Sequence, residues 1–111
     1  MITITVVLDG SGLIKTCDVR GHARAGKRGY DLVCAAVSVL VRTALSVLSK
    51  KEGISIKGGA ERRGEFSLET KVQNTAGRDF LAAVGSFLIE GLKSVAEEFP
   101  QNCIMIITTE E

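Results

Sequence analysis

Apolar residues along this chain switch repeatedly between two spacings, every second position and every third or fourth. Residues 2 to 8 are rich in Ile, Thr and Val, as suits a half-buried strand. The cluster Asp9-Gly10-Ser11-Gly12 predicts a turn into a second strand, Leu13 to Arg20. Simple alternation puts Leu13, Cys17 and Val19 on its core face beside Lys15, with Ile14, Thr16, Asp18 and Arg20 opposite. Residues 21 to 30 read as a surface loop, and Asp31 is placed to cap a helix over about 32 to 51 by accepting from first-turn amides. At helical spacing Val33, Val37, Leu40, Val41, Ala44 and Leu48 fall in one stripe, with Cys34 at its edge.

Ile54 to Lys57 and Phe66 to Val72 alternate again, and the glycine-containing segment 58 to 64 joins them as a hairpin. Asn74 or Thr75 caps a second helix in which Phe80, Leu81, Val84, Phe87, Leu88, Leu92, Val95 and Phe99 recur as far as Pro100. Cys103 to Thr108 is a last strand. The order ββαββαβ predicts a single α+β domain over residues 1–111, a mainly antiparallel sheet covered by two amphipathic helices.

With 111 residues, 45% of them hydrophobic, such a chain buries roughly two thirds of its unfolded surface and needs no metal or disulfide staple. Three cysteines cannot pair completely, and no positive charge precedes Lys15 as a leader would require, so a reducing cytoplasm is the expected location. The longest apolar stretch, Leu32 to Val41, falls short of the ~20 residues that span a bilayer, so no membrane partner is expected. A formal net charge of +1 excludes the global footprint of a nucleic-acid binder but leaves one basic patch, Arg20, Arg24, Lys27 and Arg28.

The sole histidine, His22, and Cys34 carry the most informative chemistry. With Asp31 as cap, Cys34 falls in the first turn, where unpaired amides and the helix dipole favour a thiolate. That effect is about 0.3–1 kcal/mol, under one pKa unit, so a second activating group is needed. The segment after the second strand is long enough to bring His22 to the thiol. His22 would take the thiol proton and later protonate a leaving amine, while first-turn amides around Cys34 hold the oxyanion. Cys17 and Cys103 alternate with apolar neighbours and read as core. Ser38, one turn after Cys34, either orients the thiol or borders the apolar stripe; Asp31 caps the helix and has a second open role in orienting His22. One histidine and widely spaced cysteines make no metal site.

Two other readings bear on the same loop. Gly21 to Arg28 nearly fits the phosphate-binding pattern GxxxxGK[ST], but Arg28 cannot supply the metal-ligating hydroxyl. Alternatively, the basic patch over residues 20–28 serves a noncatalytic ribosome- or RNA-associated module, although aromatic platforms for bases are missing.

Gly21-His22-Ala23, followed by Gly29-Tyr30-Asp31-Leu32-Val33-Cys34-Ala35-Ala36-Val37-Ser38, resembles the bacterial ribosomal-processing cysteine proteases, the Prp family. The motif spans about residues 20 to 40, and the order of elements is similar over the whole chain. The resemblance implies a homodimeric endopeptidase that removes an N-terminal extension from the precursor of large-subunit ribosomal protein twenty-seven. It implies Cys34 as nucleophile, His22 as its partner and supporting positions at Gly21, Asp31 and Ser38. It also implies a glycine-rich segment, here with Ala23, Arg24, Gly26 and Gly29, that adapts around substrate. No cofactor is implied, and RNA contact is not required. The chain departs from the family's usual look at residues 24 to 28, whose basic character bears on substrate preference.

Overall fold

A computed structural model describes residues 1–21, 28–60 and 65–110, with residues 28–31 described by their backbone. The elements run β1 (Ile2–Leu8), β2 (Ile14–Arg20), α1 (Arg28–Ser49), β3 (Ile54–Gly59), β4 (Glu65–Val72), α2 (Thr75–Glu98) and β5 (Cys103–Thr109). They build the expected α+β domain: one five-stranded sheet, order β3-β4-β2-β1-β5, with both helices on one face. β1 pairs in parallel with β5, Ile2 opposite Cys103, and every other pairing is antiparallel.

The turn after β1 is held by its aspartate. The Asp9 carboxylate accepts from the Ser11 and Leu13 amides at 2.8 and 3.1 Å, and Gly12 takes φ +86°, which a side chain resists. Beyond it the register corrects the simple alternation. Val7 faces Thr16 and Leu8 faces Ile14, so Lys15 is an extra residue, a β-bulge. Ile14 therefore turns into the core beside Leu13, Cys17 and Val19, while Lys15 reaches out to Glu110, 2.7 Å from its carboxylate.

α1 also corrects the sequence reading: it begins three residues before Asp31. Gly29 and Asp31 lie in its first turn, so Asp31 is not the cap and Gly29 is not in a loop. The buried stripe is the predicted one, Val33, Val37, Val41, Ala44 and Leu48. By length and composition Leu32–Ser49 could cross a membrane, but that stripe packs on the sheet, as in the core helix of a compact domain.

In α2 the Asn74 side chain accepts from the Gly77 amide at 2.8 Å, confirming one of the two predicted caps. Replacing Asn74 with Ala should lower stability by about 1 kcal/mol and Tm by about 4–8 °C, read from thermal unfolding by circular dichroism. An unchanged Tm would contradict the cap's contribution. Leu81, Leu88 and Leu92 face the core, but Phe87, expected in the same stripe, is 75% exposed. The helix ends before Pro100, and the Cys103 amide donates to the Phe99 carbonyl at 3.0 Å, turning the chain directly into β5.

Candidate active site around Cys34

The end of the sheet where β2 finishes is assembled from remote parts of the chain. Arg20 faces Thr3 of β1 on one side and Glu65 of β4 on the other, and Ile2 faces Cys103 of β5. Strands are about 4.8 Å apart, so Cys103 opens β5 roughly 10 Å from the point where Gly21 leaves β2. Cys34, on α1, is half-buried and packs against the core cluster that contains Cys103. Charge on Cys34 contributes to raising the Cys103 pKa, second to burial, which locates the two thiols in one neighbourhood. Thus α1 and β5 hold Cys34 at the end of the sheet from which the segment after Gly21 departs.

The three cysteines differ in chemistry because they differ in burial. Cys17, in the middle of β2, has its pKa pushed up to about 12 by loss of solvation, with the neighbouring Asp18 charge adding to the effect. Cys103 is raised for the same first reason. Both are neutral thiols near pH 7 and behave as small apolar side chains. Cys34 alone of the three reaches solvent. Iodoacetamide at neutral pH should therefore add one group to the native protein and three once it is denatured. A second native adduct would contradict this ordering.

The early start of α1 changes the electrostatic picture around Cys34. The unpaired amides of a helix belong to its first turn, here residues 28–31, and Cys34 is the seventh residue. Its own amide is not a free oxyanion donor, and the dipole effect fades beyond the first turn, which corrects the expectation drawn from an Asp31 cap. Helical side chains lean toward the N-terminus, so the Cys34 thiol is carried back over the turn that contains residues 30 and 31.

Of the other predicted positions, Gly21 is half-buried at the exit of β2 and Ser38 is exposed one turn beyond Cys34. His22, Ala23, Arg24 and Gly26 lie outside the described residues, as does the side chain of Asp31, and Gly29 is described by its helical backbone alone. The basic patch is reduced at one member: Arg20 lies 3.6 Å from the Asp18 carboxylate and 4.0 Å from that of Glu65. Among the described residues no cluster of His, Cys, Asp and Glu could hold a metal ion.

A family model described as cysteine protease Prp matches residues 1–104. The chain belongs to the Prp family of cysteine proteases. It is 24% identical over 106 residues to the ribosomal processing cysteine protease Prp of Staphylococcus aureus (strain Mu50 / ATCC 700699), covering 92% of this chain and 94% of that one. The fold is similar to the crystal structure of SMU.848 from Streptococcus mutans, with TM-score 0.81, 25% identity and coverage of 99% and 96% of the two chains. It is also similar to the essential ribosomal processing protease Prp from S. aureus in complex with a substrate peptide, with TM-score 0.80, 18% identity and coverage of 96% and 99%. Membership of the Prp family makes this chain a cysteine protease of ribosomal processing, with the five-stranded sheet and two helices seen in those structures.

Proposed function

We propose that the protein is an endopeptidase that removes the N-terminal extension of large-subunit ribosomal protein twenty-seven, working as a homodimer in the cytoplasm, with Cys34 as nucleophile and His22 as base and acid. The observation that carries the reading is the partition of the thiols: two are sealed in the core and Cys34, inside the family motif, is only half-buried. In the first half-reaction His22 removes the thiol proton, the Cys34 sulfur bonds to the scissile carbonyl carbon, and the C–N bond breaks as the proton passes to the leaving amine. Water then adds to the thioester with His22 as base, the C–S bond breaks, and a carboxylic acid and the free thiol are released. Asp31, Gly21 and Ser38 are assigned supporting positions by the family resemblance. Ala23, Arg24, Gly26 and Gly29 belong to the segment that meets substrate, where its basic residues would favour an acidic or carbonyl-rich stretch near the cut.

The test is mass spectrometry of the host's extended ribosomal protein after incubation with the protein. Release of one defined N-terminal fragment supports the assignment and locates the bond. An intact precursor, with thiol-dependent cleavage of some other protein, would keep the protease and remove this substrate.

A further inference from the structure

The last turn of α2 has a cysteine on either side of it. α1 and α2 run antiparallel, because a side chain added at Gly91 would meet Leu40 while, farther along α1, Thr43 and Val47 share a groove with Val84 and Phe87. Six residues back from Leu40, about 9 Å along the axis, α1 reaches Cys34; the same step forward from Gly91 reaches Glu97, one residue short of the end of α2. The chain then folds straight back, since the amides of Asn102 and Cys103 both donate to the Phe99 carbonyl, at 2.9 and 3.0 Å. Cys103 thus returns beside the turn that stands level with Cys34. Its side chain is in the core, and Cys34 packs against the cluster that contains it. Cys17 is elsewhere: it faces Val6, four residues or about 13 Å along β1 from Ile2, the partner of Cys103. No step of the hydrolytic cycle uses Cys103.

We propose that Cys34 and Cys103 form an oxidative modification site, in which hydrogen peroxide oxidises Cys34 and Cys103 then closes a disulfide that a dithiol reopens. The Cys34 thiolate attacks one oxygen of the peroxide, the O–O bond breaks, and the departing hydroxide takes a proton to leave as water, giving a sulfenic acid. The Cys103 sulfur then bonds to the Cys34 sulfur as its proton passes to the departing oxygen, so the S–O bond breaks and a second water leaves. Two thiols have supplied two electrons, and one peroxide has become two waters. Burial decides the order, because oxidant reaches half-buried Cys34 before Cys103, which is 2% exposed. The first step also prepares the second. Charge on Cys34 is one of the two influences that keep Cys103 protonated, and a neutral sulfenic acid removes it. A hollow of about 380 Å³ beside Cys103, between β5 and Lys93, Ala96 and Glu97 of α2, leaves the start of β5 room for the adjustment that disulfide geometry demands. The disulfide forms whatever Cys34 does to peptides; that it switches off cleavage rests on Cys34 being the nucleophile.

Mass spectrometry of the full chain after brief treatment with hydrogen peroxide tests the pair without any substrate. Denatured in iodoacetamide without reductant, the treated chain should take one group, at Cys17, where the untreated chain takes three. Before alkylation it should be two hydrogens lighter, and its digest should hold a Cys34 peptide joined to a Cys103 peptide. Dithiothreitol should return all three thiols. Cys103→Ala should form no such link, and excess peroxide should carry its Cys34 on to sulfinic acid, which dithiols do not reduce. After peroxide and then dithiothreitol, the wild type should recover at least about tenfold more of its untreated cleavage of the precursor than Cys103→Ala does, and Cys17→Ala should match the wild type. An oxidised wild type with Cys34 as sulfinic acid and Cys103 free would overturn the proposal. So would a bridge between two chains, a bridge that includes Cys17, or equal recovery with and without Cys103. A precursor that neither untreated protein cuts would remove the proposed substrate, while the joined peptide still decides the pair.

Discussion

Replacing Cys34 with Ala should reduce kcat/KM for the precursor by at least about 10³-fold, to the background of the assay, while leaving the thermal transition within a few degrees of the wild type. The two halves of that expectation have separate causes. Activity goes because no other exposed thiol can form the acyl-enzyme. Stability stays because Cys34 only borders the core, and removing one sulfur from a half-buried helix position opens no sealed cavity. His22→Ala should lose about 10²–10⁴-fold, the range of general acid–base catalysis. Undiminished cleavage by the Cys34→Ala protein would end the assignment of the nucleophile.

The second large effect is on stability at high pH, and its source is Cys17. Burial holds its pKa at about 12, above the ordinary value near 9. As pH rises past 9 the unfolded chain gives up this proton first, so the native state then binds more protons and stability falls. The contribution is fully present below pH 9 and is lost toward pH 12, at about 1.4 kcal/mol per pH unit. At pH 11 the loss from this one thiol is about 2.5 kcal/mol, a large share of the roughly 5–15 kcal/mol that holds a domain folded. Guanidinium titrations with reductant at pH 8 and pH 11 isolate it when Cys17→Ala is run alongside. The wild type should lose about 2.5 kcal/mol more than the variant between the two pH values. Parallel losses would show that the thiol ionises without penalty in the folded protein.

Much of the fold was legible because two periods rarely mimic each other. The stripe Val33 to Leu48 and the alternation Phe66, Leu68 each point to one face of one element, and both are buried as expected. Local rules failed where a neighbour decides. Nothing within residues 13 to 20 announces that Lys15 is supernumerary; the bulge exists only in the pairing with β1, and it reverses the side on which Ile14 falls. Asp31 is a good cap by residue type, yet α1 starts at Arg28, so Cys34 stands seven residues into the helix and not in its first turn. Phe87 repeats at core spacing but sits on the turn of α2 that looks away from the sheet. The proximity of Cys103 to Cys34 depends on β5 lying parallel to β1, a contact between the first and last described strands in sequence that no short-range pattern encodes. The family motif identified the candidate nucleophile without any of these geometric details.

That same parallel pair has a consequence for when the protein becomes active. β5 follows the other four strands of the described sheet in sequence, so its pairing with β1 is the last of the strand pairings to become available during synthesis. Contacts between segments so distant in sequence carry a loop-closure penalty and slow folding toward the millisecond-to-second range. Until β5 docks, the neighbourhood of Cys34 lacks Cys103 and its backing strand. The backing of the candidate nucleophile is therefore complete only once β5 has been synthesised and has docked beside β1.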